Sequence, residues 1–183
     1  MQDLIKPIGP YIPTYFSSDL LQEYLSDIKD TPYNLEKSLH HLAEEHLQVP
    51  YREGGWNIRQ IVHHLADSHM NAYIRCKLAI TEDNPIIKPY DQDLWAELPD
   101  NNLVPLQVSV KLLSALHERW HVFFSQLNEE DWNRTVMHPE YKRQMSLWFI
   151  LGLYAWHGKH HVAQINALRS DRKSTRLNSS HAN

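Results

Sequence analysis

Residues 57–81, NIRQIVHHLADSHMNAYIRCKLAIT, decide the fold class. Ile58, Ile61, Val62, Leu65, Ala72, Cys76 and Ala79 recur at three- and four-residue intervals, the period of one helical face. No Pro or Gly interrupts the stretch, so it predicts one helix of roughly 37 Å. Working outward, residues 145–168 carry a second stripe through Leu147, Ile150, Tyr154, Ile165 and Leu168. A third runs from about Val104 to Leu127 through Leu106, Val110, Leu113, Trp120 and Phe124. Upstream, Ser17-Ser18-Asp19 reads as a helix start, followed by Leu20, Leu21, Tyr24, Leu25 and Ile28. Thr31-Pro32 then matches an N-cap with proline at the first helical position, predicting a separate helix through Leu35, Leu39, Leu42 and Ala43.

Between these segments the chain turns at Val49-Pro50 and Gly54-Gly55. Residues 83–105 hold Pro85, Pro89, Pro99 and Pro105 and read as a long connection with one short helix around Asp91–Leu98. Asn128–Pro139 reads as loop, and strand-like alternation is sustained nowhere. The expectation is an all-α, four-helix bundle with a long crossover connection, one domain over residues 1–170. Pro7, Pro10 and Pro13 make residues 1–16 an extended arm laid over it. Residues 171–183, ending STRLNSSHAN, are polar and aperiodic, and are expected to be a disordered tail of non-native origin.

Composition narrows the function. The 183 residues suit one domain with a real core. Eighteen Lys+Arg against 22 Asp+Glu leave no basic footprint, which argues against nucleic acid. The longest apolar run, Leu147 to Trp156, is too short to span a bilayer, and the N-terminus lacks the pattern of a signal peptide. A lone cysteine, Cys76, asks for no oxidising compartment and reads as a small core residue. By elimination the sequence points to the cytoplasm. The unusual count is 13 His, and imidazole is both a common metal ligand and a near-neutral base.

His157 and His161 stand four apart on the apolar face of the last segment, with His160 turned off that face as a bystander. Two imidazoles there need partners: either neighbouring side chains, or one divalent metal that satisfies both. A third ligand would have to come from another helix. In the 57–81 helix, His63 falls among Arg59, Gln60 and Asp67 on the polar face and reads as solvated. His69 sits in the middle of the apolar stripe and His64 at its edge, so phase leaves the choice open. His117-Glu118-Arg119-Trp120-His121 matches H-E-x-x-H, the zincin pattern. Glu118, however, points away from the bundle interior, which favours a solvated helix edge.

The segments PYREGGWNIRQIVHHLADSHMNAYIRCKLAITE and LGLYAWHGKHHVAQI, with KPYDQDLWAELPD between them, resemble the YfiT branch of the DinB/YfiT-like metalloprotein superfamily. The similarity runs through nearly all of residues 1–170. It implies a four-helix bundle with a long crossover and one divalent metal ion per chain, Zn or Ni. The ligands it implies are the second His of HHLADS, His64, and the pair of WHGKHH, His157 and His161. It also implies a homodimer.

The resemblance implies a metal-dependent enzyme that transfers a low-molecular-weight, bacillithiol-like thiol to an electrophile, or else a hydrolase using metal-bound hydroxide. A metal-binding stress protein without turnover is the third possibility. Arg75, on nearly the same edge as His64 but about three turns along, is the candidate contact for an anionic substrate.

Overall fold

The computed structural model describes residues 5–180, with side chains placed through Arg169. Four long helices form the bundle: α1 (Ser18–Leu39), α3 (Ile58–Thr81), α6 (Leu106–Ser125) and α7 (Leu147–Ser180). Short helices α2 (Glu44–Leu47), α4 (Gln92–Ala96) and α5 (Asp100–Leu103) lie in the connections. Both α1 and α3 pack against α6 and α7, so α1 faces α3 across a diagonal of the bundle. No helix among the described residues is long and apolar enough to cross a membrane.

The core divides in two. One cluster joins the start of α1 (Tyr24, Leu25, Ile28) to the end of α3 (Ala72, Cys76, Ala79), Trp120 and Phe124 of α6, and Leu147–Ala155 of α7. The other joins Leu35 to Ile58–Leu65, Leu106–Leu113 and Ile165. These memberships fix the directions: α1 runs parallel to α7, α3 runs parallel to α6, and the two pairs oppose each other. Between the clusters each of α3, α6 and α7 places histidines at the same height: His64 and His69, His117, and His157 with His161.

The long connection of residues 82–105 is the crossover, and polar side chains fasten it. Asn57 and Gln60 form a reciprocal cap at the head of α3, with Asn57 Oδ1 accepting from the Gln60 amide (2.9 Å) and Gln60 Oε1 from the Asn57 amide (3.0 Å). Gln60 Nε2 also donates to the Ala96 carbonyl at 3.1 Å, tying down α4. The arm behaves as the prolines predict: Trp156 Nε1 donates to the Gly9 carbonyl (3.2 Å) and Trp148 Nε1 to the Thr14 carbonyl (2.8 Å).

Three local expectations are corrected. Thr31-Pro32 does not begin a second helix, because α1 is continuous through Pro32. Proline has no amide hydrogen, so the Ile28 carbonyl four residues earlier loses its helical donor. His117 Nδ1 takes that acceptor, and the buried face of Tyr24, Leu25, Ile28 and Leu35 runs past the proline unbroken.

Residues 128–139 are not all loop, and a strand precedes the last helix. A 3₁₀ turn at Glu130–Asn133 leads into β1 (Thr135–His138), paired antiparallel with β2 (Arg143–Ser146). Val136 and Met145 on this hairpin enter the core. Arg134 donates to the carbonyls of Ala79 (2.8 Å), Ile80 (3.3 Å) and Glu82 (2.6 Å), satisfying the C-terminus of α3.

Finally, the backbone of α7 continues to Ser180, past position 170 where the reading placed a structureless tail. No Pro or Gly after Gly158 stops the helix. Residues 181–183 and the side chains beyond Arg169 lie outside the description.

Candidate metal centre

His64 from α3 and His157 and His161 from α7 converge between the two core clusters. Their candidate ligand atoms all lie within 4.8 Å of one another. His157 Nε2 stands 3.3 Å from His64 Nε2 and 3.2 Å from His161 Nε2. Zn–N bonds of roughly 2.0–2.1 Å in tetrahedral geometry put ligand nitrogens about 3.3 Å apart, so the spacing fits one divalent ion. An all-imidazole donor set accepts zinc, nickel or copper, and does not by itself choose among them.

The electrostatics agree. Burial pushes the His64 imidazolium down to about 4. Burial first, and then the neighbouring rings, hold His157 and His161 well below the usual range. All three are therefore neutral near pH 7, the form that offers a lone pair to a metal.

Neighbours set the rings. His161 Nδ1 donates to Gln164 Oε1 at 2.8 Å, which turns Nε2 toward the centre. Gln164 Nε2 in turn donates to the Ile5 carbonyl of the arm at 3.3 Å. Trp56 lies over His64, with ring centroids 4.4 Å apart, and stacks near-parallel to His161 at 6.3 Å. On one side the centre opens into a cleft of about 700 Å³, lined among others by Tyr51, Arg52, Asp93, Glu97 and Trp156.

The remaining histidines sort out as follows. His69 is wholly buried, as its phase predicts. Its Nδ1 lies 2.7 Å from His117 Nε2, and its Nε2 lies 3.0 Å from His157 Nδ1. His69 thus stands behind His157 rather than in the three-histidine cluster. His63 is buried, contrary to the solvated reading, and its Nδ1 pairs with Ser109 Oγ at 2.8 Å. The H-E-x-x-H segment builds no metal site: His117 is committed to Ile28 and His69, and Glu118 is exposed.

His160 stays out of the cluster but is not turned to solvent. It is buried, stacks on Trp156 with centroids 4.6 Å apart, and lines the cleft. Arg75 serves the crossover: Nη2 donates to the Lys88 carbonyl at 3.2 Å and the guanidinium lies over the Tyr90 ring. The cation lining the cleft is Arg52. Cys76 is a core residue, its thiol pushed up to about 12 by burial.

Sequence reasoning missed Gln164, Trp56 and Arg52. The first carried a usable signal, since it stands three residues after His161 on the same helical face. The other two sit in the Gly54-Gly55 turn region, whose path no periodicity describes.

A family model described as the DinB superfamily matches residues 27–165. A protein of Bacillus cereus strain G9842, named "Putative metal-dependent hydrolase", is 47% identical over 172 residues, covering 92% of this chain and 97% of its own. A protein of the same name from Bacillus anthracis strain CDC 684 / NRRL 3495 is 46% identical over the same coverage. A solved structure, described as YfiT from Bacillus subtilis and as "a probable metal-dependent hydrolase with an unusual four-helix bundle topology", superposes with a TM-score of 0.91. It is 40% identical in sequence and covers 93% of this chain and 98% of that one.

Proposed function

The chain belongs to the DinB superfamily, and on that premise we propose that it is a metal-dependent enzyme with one zinc or nickel ion held by His64, His157 and His161. The observation that carries this is the convergence of three neutral imidazoles at the edge of an open cleft. A divalent cation there supplies Lewis acidity, lowering the pKa of a water or thiol that reaches it.

The chain's own residues prepare that chemistry. Gln164 and Trp56 fix the rings of His161 and His64. Arg52 offers a cation on the cleft wall, the feature a thiol bearing carboxylates would use. The reaction we propose is S-transfer from a low-molecular-weight thiol. Its sulfur bonds to a carbon of the electrophile, the bond from that carbon to its leaving group breaks, and the thiol proton goes to solvent. The metal cluster of the described residues has three side-chain ligands, whereas a structural zinc site is closed by four. This favours an enzyme over a metal-binding stress protein without turnover.

Hydrolysis, with water in place of thiol, is the second reading, supported by the names of the relatives. The two are separated by one experiment. Protein loaded with Zn²⁺ or Ni²⁺ is given a panel of small thiols and a monohalogenated acceptor, and conjugates are followed by mass spectrometry. Metal-dependent conjugate absent from His157→Ala supports transfer. Failure with every thiol, together with turnover of esters or amides without thiol, would replace transfer by hydrolysis.

A further inference from the structure

We infer that His69 and His117 are positioning residues that fix the tautomer of His157, and that the chain of rings they form is anchored on the main-chain carbonyl of Ile28. The inference rests on His157 being a metal ligand, as proposed above.

A carbonyl oxygen can only accept, so the direction of every proton in the chain follows from its first member. His117 Nδ1 faces the Ile28 carbonyl and must carry the hydrogen. In a neutral ring that leaves His117 Nε2 bare, so His69 Nδ1, 2.7 Å away, must be the donor to it. His69 Nε2 is then bare in its turn and accepts from His157 Nδ1 at 3.0 Å. His157 is left with a lone pair on Nε2, the atom that faces His64 and His161. The usual partner behind a metal-binding histidine is a carboxylate, a backbone carbonyl or a water. Here two further imidazoles stand between the ligand and the carbonyl.

Burial keeps the chain neutral. His69 is 0% and His117 1% exposed, with no acidic side chain among their hydrogen-bond partners to balance a charged ring. The anchor exists because Pro32 supplies no amide to Ile28. Remove His117 and His69 is free to place its hydrogen on Nε2. It would then donate to His157 Nδ1 and force the His157 hydrogen onto Nε2, where a metal must bind.

The test reads the rings directly. Long-range proton–nitrogen correlation spectra of metal-free, ¹⁵N-labelled protein at neutral pH report the tautomer of each histidine. We expect Nδ1–H for His117, His69 and His157. In His117→Met we expect a population of Nε2–H at His157 and zinc binding weaker by about 10- to 100-fold. His117→Gln, whose amide both donates and accepts, should restore both.

Pro32→Ala is the second variant, read if His117→Met does not fold. Its new amide competes for the Ile28 carbonyl, and it should move the His157 ring in the same direction. Nε2–H at His157 in the unsubstituted protein would overturn the inference, as would an unchanged ring and zinc affinity in the folded variants. If instead the tautomers are as expected and the unsubstituted protein binds no divalent metal, the ligand reading fails and the chain of rings stands.

Discussion

Gly158 lies against Thr31 so closely that a methyl group on it would meet Thr31 Oγ1 at 2.6 Å and Thr31 Cγ2 at 2.7 Å. Thr31 is buried, and its hydroxyl is already engaged, donating to the Asp27 carbonyl at 2.7 Å. The contact is where α7 approaches α1, and Gly158 directly follows His157, one of the three proposed ligands. Helix spacing and ligand placement are therefore set by one absent side chain.

Gly158→Ala should accordingly destabilise the protein by about 1–3 kcal/mol through overpacking and weaken metal binding as well. Denaturant midpoints and metal titration measure the two effects. Gly152→Ala gives the contrast: its methyl would press on Tyr11 of the arm and on Tyr24 of α1 rather than beside His157, so stability should fall while metal affinity holds. Equal loss of metal affinity in both variants would contradict the local role of Gly158.

His157→Ala should abolish stoichiometric metal binding, because His157 Nε2 is the atom closest to both other ligands. His160→Ala should leave binding nearly intact, since that ring stacks on Trp156 and is outside the cluster. Elemental analysis of the purified variants distinguishes them. Parallel losses would sink the ligand assignment.

Gln164→Met keeps the side-chain length and removes the acceptor for His161 Nδ1–H. We expect metal affinity to fall by roughly 10- to 100-fold, as for other partners behind a ligand. The fold should persist, because the thioether suits a buried position. Calorimetric titration with zinc gives the affinity and thermal melting the control.

Acid should unfold the metal-free protein early. His64 and His117 are neutral when folded down to about 4, whereas an unfolded histidine takes its proton near 6.5. His69, His157 and His161 are shifted in the same direction by burial. At these five rings the unfolded chain therefore binds more protons than the folded one below about pH 6.5, while Asp67, raised to about 6 by burial, opposes them at one site. Stability is complete above that pH and is lost as pH falls toward 4. Each of these rings adds a slope of up to about 1.4 kcal/mol per pH unit. Urea midpoints should stay level above neutrality and drop steeply between about pH 6.5 and 5. A level profile through that window would mean the rings ionise within the fold.

How far the sequence revealed this varies by segment. The 57–81 helix was legible because an unbroken stripe coincides with a self-contained cap at Asn57 and Gln60. His157 and His161 stood out because two imidazoles four residues apart on an apolar face need buried partners, and the structure brings both into one cluster with His64. Phase left His64 and His69 open, since the cleft lies at the edge of the helix; the family resemblance implied His64, and His64 is the one that stands in the cluster with His157 and His161. His63 misled because its polar neighbours are not solvated: Arg59 pairs with Glu44 and Gln60 holds the Ala96 carbonyl. The hairpin strands are four residues each, too short for alternation to register. At Thr31-Pro32 the local pattern matched a helix start, and a side chain 85 positions downstream of Pro32 decided otherwise.

The acceptor at the root of the ring chain is a peptide oxygen, which every amino acid at position 28 would present. Drift at that codon can change the packing around the oxygen but cannot delete it. The exposure to mutation is shifted to position 32, where any replacement of the imino acid returns a competing amide. A proline inside a helix is ordinarily counted as damage to the backbone. Here it acts as a reserved socket, kept open for a ring from another helix.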